Sequence, residues 1–93
     1  MESDGPTFWS VVGQTELTLF RAINRKHLAI EKRRILAGYD DVAKRMRGSA
    51  HWHMVFDTAS FVLSRYRRQA RRTESKACDE ILDYLRKQVP VTQ

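Results

Sequence analysis

Residues 61–72 read FVLSRYRRQARR, a stretch in which Arg65, Arg67, Arg68, Arg71 and Arg72 share space with Phe61, Val62, Leu63 and Tyr66. On a helix, Arg65, Arg68 and Arg72 fall at i, i+3 and i+7. They then share a face with Met54, Thr58 and Phe61, while Arg67 and Arg71 flank it. Arg21, Arg25 and Lys32 make a second row, with Lys26, Arg33 and Arg34 beside it. A planar guanidinium presents paired N–H donors that match phosphate oxygens, so arginine rows on rigid helices suit a phosphate backbone better than scattered lysines do. Arg65, Arg68, Arg72, Arg67, Arg71, Arg21, Arg25 and Lys32 are therefore the candidate contacts to a polyanion. The plainer reading is a solvated face that keeps a small helical protein dispersed. Rows on two helices favour nucleic acid over it.

Other chemistry is poorly supplied. His51 and His53 stand two apart at the start of a helix, where their side chains diverge and cannot share a metal as an i, i+4 pair can. Asp40 and Asp41 are adjacent and point apart, and there is no glycine-rich phosphate loop, nucleophile elbow or Cys/His constellation. No cofactor or metal is expected, and the reading is of a protein that is not an enzyme. Trp9 and Trp52 read as packing anchors. His27 reads as a core or interface residue on an apolar stripe, and Cys78 as a buried thiol.

The elements that must position the arginines are all helical. The 93 residues suit one small domain, and 17 Lys+Arg against 11 Asp+Glu give a net charge of +6. With a pI near 10.0, that balance favours a polyanionic partner. Hydrophobic residues make up 42% of the chain, too many for a disordered basic tail, yet 30% charge leaves a thin core that oligomerisation would complete. A single cysteine excludes an internal disulfide and fits a reducing compartment. No apolar run approaches the roughly 20 residues of a membrane span, and MESDGPTFW is acidic where a signal peptide is basic. The expectation is a soluble protein of the cytoplasm.

Between Pro6 and Pro90 no helix breaker of that strength occurs, and β-type alternation is missing. Residues 1–14 read as a lead-in, with a short helical segment near Phe8 and Trp9 that Gly13 loosens or ends. A first helical arm follows over 15–47, capped by Thr15, with Leu17, Phe20, Ile23, His27 and Ile30 at spacings of three and four. Leu19, Ala22, Ala29 and Leu36 widen that stripe. The arm is either one bent helix or is interrupted at Gly38, with Asp40 capping a second piece. Gly48 and Ser49 mark the turn into a second helix over 49–72, whose stripe runs Trp52, Val55, Phe56, Ala59, Val62, Leu63, Tyr66 and Ala70. A third helix over 75–89 carries Cys78, Ile81, Leu82, Leu85 and Val89 and ends at Pro90.

Most aromatics lie on core stripes, which disfavours stacking on single-stranded bases. The best helix is long and arginine-studded only at its far end, unlike a short recognition helix after a tight turn. Shape-based recognition of a duplex fits better.

Residues 47–66, RGSAHWHMVFDTASFVLSRY, resemble the second helix of the nodavirus RNA-silencing suppressor family, the B-two proteins. The shared features are Arg47, the pair Trp52–His53, Asp57, Ala59 and the pattern from Phe61 to Tyr66. DYLR at 83–86 resembles that family's short third helix, about one turn farther along the chain. The resemblance implies a homodimer of helical hairpins that forms a four-helix bundle along A-form double-stranded RNA and hides the duplex from host silencing. Carried over by position, Arg65 matches an arginine that contacts RNA in the family. A lysine used by some members falls at Ser60, and Arg68 and Arg72 are candidates to replace it. RGS and DTA also echo the RNA-binding domain of influenza nonstructural protein one, read here as convergent.

The sequence thus reads as an all-α, antiparallel helical hairpin with a short C-terminal helix, dimerising into a four-helix bundle. Its expected role is to bind double-stranded RNA without sequence preference, as a viral suppressor of RNA silencing in the host cytoplasm. The alternatives are a basic helical interaction or DNA-binding module, a membrane-surface binder, or a small chorismate-mutase-like enzyme faintly suggested by FVLSRYRRQ. Apolar stripes so well matched to helix packing leave little surface for lipid.

Overall fold

A computed structural model describes residues 8–45 and 51–89, which form four α-helices and no strand. They are α1 (Phe8–Arg25), α2 (Leu28–Arg45), α3 (Trp52–Arg67) and α4 (Arg72–Gln88). The all-helical expectation holds, with one more helix than the hairpin reading gave. The Gly48–Ser49 turn, Met46, Arg47 and Pro90 lie outside the described residues.

Helix α1 packs on α2, α2 on α4, and α4 on α3. Glu74 meets Leu28 and Ala29, Lys32 meets Glu80, and Asp40 meets Tyr84. These pairings advance together along both chains, so α2 and α4 run in the same direction, with α1 and α3 returning against them. Each partner supplies one stripe to a common core: Val12, Leu19 and Ala22; Leu28, Ile35, Tyr39 and Val42; Trp52, Val55, Ala59 and Leu63; Ala77, Cys78, Ile81 and Leu85. The Tyr39 and Trp52 rings meet with centroids 6.3 Å apart and tilted by 57°, an arrangement that suits aromatic quadrupoles. Burial pushes the Cys78 thiol up to about 11, so it stays protonated and packs as a small hydrophobe.

The expected first arm is broken, but not at Gly38. It divides at Lys26 and His27, with Lys26 in the left-handed region at φ 59°. The Lys26 N–H donates to the Ile23 carbonyl at 3.1 Å and the His27 N–H to the Ala22 carbonyl at 2.8 Å. This double closure is the Schellman ending, normally built on glycine because a Cβ is disfavoured there. Helix α1 also begins well before Thr15, running from Phe8 through Gly13. Thr15 is therefore a buried interior residue and not a cap. It faces Gly38 of α2, where a Cβ would overlap the Thr15 side chain. Gly38 thus stays helical and serves as a close-approach point. Asp40 likewise lies within a helix and caps none, its half-exposed carboxylate accepting from the Tyr84 hydroxyl at 3.2 Å and pairing with Lys44 at 3.4 Å.

The apolar stripe of the expected first arm is also corrected. Val12, Thr15, Leu19 and Ala22 are buried, whereas Leu17 is 57% exposed and Ile30 75% exposed. Residues 8–25 carry two apolar stripes, and only one can face α2. His27 is exposed rather than on the core. On α3 and α4 the expected stripes hold, with Phe56, Val62, Ala70, Leu82 and Val89 at the margins of the core.

The second expected helix ends at Arg67 and the third begins at Arg72, a turn earlier than Ser75. That shift brings Glu74 into the fold's interior, 7% exposed. Its carboxylate accepts from the Leu28 N–H at 2.8 Å, the Ala29 N–H at 2.7 Å and the Tyr66 hydroxyl at 2.6 Å. Leu28 and Ala29 open α2, where backbone donors lack intrahelical acceptors and the helix dipole is positive. Glu74 therefore caps α2 from another helix. Burial alone would raise its carboxyl, but the Tyr66 hydroxyl and the Ala29 and Leu28 amides, with His27 nearby, bring it below its ordinary value of 4.5. Burial and that same carboxylate push the Tyr66 hydroxyl upward, so it remains a donor.

Two outcomes follow. Because Glu74 binds its proton less readily in the fold than in the unfolded chain, its contribution is present above pH 4.5 and is lost as pH falls through the folded value. Urea unfolding as a function of pH should show that loss. Glu74→Gln should flatten this part of the curve and lower stability at pH 7 by about 2–3 kcal/mol. For Gly38→Ala, helix propensity alone predicts a gain of about 1 kcal/mol. The overlap with Thr15 should reverse the sign to a loss of about 1–3 kcal/mol. Most of it should return in the Thr15→Ala background, as a thermal double-mutant cycle would show.

Candidate nucleic-acid interface

The fold sorts the candidate cations into those already neutralised and those left open. Arg67 projects toward α4, donating to Asp79 through Nε at 2.7 Å and through a terminal nitrogen at 3.1 Å. The hydrogen-bonded Asp79 carboxylate raises the Arg67 guanidinium further, so Arg67 clasps α3 to α4. Lys32 is likewise turned toward α4, paired with Glu80. Break of the arm at Lys26 is the reason: α2 has its own rotation, and Lys32 leaves the row that began with Arg21 and Arg25. Arg67 and Lys32 thus each hold a carboxylate that a polyanion would have to displace.

Arg65 and Arg68 remain open on α3. They line a shallow surface depression with Ser60, Phe61, Ser64 and Gln69. The Arg65 guanidinium carbon lies 5.3 Å from the Phe61 ring centroid, within cation–π range. Phe61 is 65% exposed. The ring attracts the guanidinium without neutralising it, which accounts for an apolar residue on the arginine face.

Arg68 ends α3, while Arg71 and Arg72 lie beyond the turn at the start of α4. The expected row Arg65–Arg68–Arg72 on one helix therefore does not exist. Residues 68–71 leave the helix because the chain must reverse for α4 to reach α2 through Glu74. Arg71 is extended at the α4 N-cap, with ψ 163°. It lines a groove of about 590 Å³ with Arg25, Lys26 and His27, and Gln69 lies at its edge. Arg25 in turn borders a small polar cleft with Arg21 and Arg34. Gln69 and Arg25 are each shared by neighbouring depressions, so the three form one belt around the end of the molecule where both turns meet.

Within this belt Arg21, Arg25, Lys26, Arg65, Arg68 and Arg71 form no ion pair among the described residues, nor does nearby Arg72. Glu31 is shared with Arg34 at 3.7 Å, and Glu74 is consumed by its own three donors. Lys26 stood only beside the expected rows, and Gln69 and Glu74 outside them. A charge pattern on an assumed continuous helix has no means of finding residues gathered by two turns. Among the described residues no three His, Cys, Asp or Glu side chains cluster as a metal site would need, and no helix is long and apolar enough to cross a membrane.

Compared with protein-family models, curated proteins and solved structures, the chain matches none.

The Arg67–Asp79 clasp is testable on its own. Arg67→Gln and Asp79→Asn should each lower the melting temperature modestly, and the double variant no further than the more damaging single change. Additive losses in differential scanning calorimetry would contradict a shared role.

Proposed function

We propose that the chain binds double-stranded RNA through its backbone, without sequence preference, and acts by sequestering the duplex as a viral suppressor of RNA silencing. The observation that carries this reading is the belt of unpaired cations, in which Arg65 and Arg68 stand beside the hydroxyls of Ser60 and Ser64. Guanidiniums address phosphates, and serine hydroxyls can donate to or accept from 2′-hydroxyls, the groups that distinguish RNA. Trp52 is buried and offers no stacking surface, and the reading rests on shape and charge as the means of recognition. The resemblance of residues 47–66 to the B-two family supports the same assignment.

The reading includes a homodimer. Leu17 and Phe20 remain exposed on α1, and with Ile23 and Val62 they line a depression between α1 and α3. A second copy covering this apolar stripe would supply the core area that a short basic chain lacks. Arg65 leads the contacts, followed by Arg68, with Arg71, Arg72, Arg25 and Arg21 adding charge around the end.

Arg65→Gln should weaken duplex RNA binding and reduce the slope of log affinity against log salt by about 1. Circular dichroism and the mass in sedimentation should stay unchanged. Arg67→Gln, which removes a guanidinium already held by Asp79, should leave affinity close to that of the unsubstituted protein. Gel shifts at several salt concentrations would measure both. Comparable affinity for single-stranded RNA or B-form DNA would contradict recognition of the A-form shape.

A further inference from the structure

The groove between the two turns differs from the rest of the belt in being concave and more enclosed. Arg25, Lys26, His27 and Arg71 rim it, while Ile30 and Ala70 supply an apolar side. Its volume, about 590 Å³, is in the range that encloses a small ligand. The one carboxylate at its wall, Glu74, has its oxygens committed to two amides and a hydroxyl. Three unpaired cations around one groove repel one another, and a dianion relieves that repulsion better than a monoanion does.

Lys26 adds an independent argument. It occupies a left-handed position, φ 59°, where glycine would close the same turn without a Cβ penalty. Strain of this kind is accepted where the side chain has a use. Here that side chain is a cation at the rim of the groove.

We propose that this groove receives the phosphorylated terminal nucleotide of a duplex, with Arg25, Lys26 and Arg71 holding a phosphate monoester and Ile30 and Ala70 lying against the last sugar and base. A terminal monoester carries a charge of about −1.5 to −2 near neutral pH, against a single charge on each internal diester. The groove therefore distinguishes a phosphorylated end from a hydroxyl end, while Arg65 and Arg68 hold the duplex along its length. This site rests on the duplex-binding reading and refines it.

The test compares two short RNA duplexes of the same sequence, one with 5′-phosphates and one with 5′-hydroxyls, titrated in solution by fluorescence anisotropy. The unsubstituted protein should bind the phosphorylated duplex about tenfold more tightly. The combination Lys26→Gly with Arg71→Gln should weaken both duplexes, the phosphorylated one more, and so reduce that preference to about twofold or less. Lys26→Gly alone should melt at a higher temperature than the parent, which shows that its loss of preference is not a loss of fold. Arg65→Gln should weaken both duplexes and keep their ratio. Equal binding of the two duplexes by the unsubstituted protein, or a preference that survives Lys26→Gly with Arg71→Gln, overturns the end-reading site and leaves duplex binding standing. Failure to bind either duplex overturns both.

Discussion

The Glu74 carboxylate is the point on which the arrangement of this chain depends. Its oxygens receive the first two amides of α2 and the hydroxyl of Tyr66 at the end of α3. Three helices are thereby fixed to one another by one buried anion. An unpaired carboxylate in that place would be costly, and so would uncapped amides at a buried helix start. Each satisfies the other, so register along α2 and α4 is set at this end and propagated by Lys32 with Glu80 and Asp40 with Tyr84.

Two consequences for the surface follow from that buried contact. The start of α2 must come to α4, which brings the Lys26–His27 turn against the Arg68–Arg71 turn. Their cations then gather at one end of the molecule although Arg25 and Arg71 are far apart in sequence. The basic belt is thus a by-product of how the core is tied. A row of arginines along a single helix would have been a simpler device, but α3 ends too soon to carry it.

The sequence makes the helical class legible because the stripes on α3 and α4 are long, regular and one-sided, as Trp52, Val55, Ala59, Leu63 and Tyr66 illustrate. The break after Arg25 is not legible, for a physical reason. Helix endings are usually signalled by glycine and helix starts by Ser, Thr, Asp or Asn. Here the ending is a lysine forced into the left-handed region, and the cap of the next helix is a glutamate from α4. Conversely, Gly38 carries the signal of an ending but exists to let α1 and α2 approach at Thr15. The same mechanism accounts for the candidate site. Arg65 and Arg68 could be ranked from spacing because they lie on or next to an unbroken helix. Arg67 and Lys32 could not be discounted, since Asp79 and Glu80 become their neighbours only when α4 is folded into place.

A surface that is to bind a polyanion has to hold its cations in position without cancelling them, and the cations of this chain are held in contrasting ways. A carboxylate partner, as at Arg67 and Asp79, orders a guanidinium but neutralises it locally, so an approaching phosphate must compete with an ion pair already made. An aromatic face, as at Arg65 on Phe61, draws the guanidinium to its ring quadrupole and adds no countercharge. A strained turn, as at Lys26, fixes where the side chain leaves the backbone and accepts a cost in stability to do so. The first ties α3 to α4 across the surface. The second and third add directional charge to the surface, and they place it on the side of the molecule where the core, through Glu74, has already brought the two turns together.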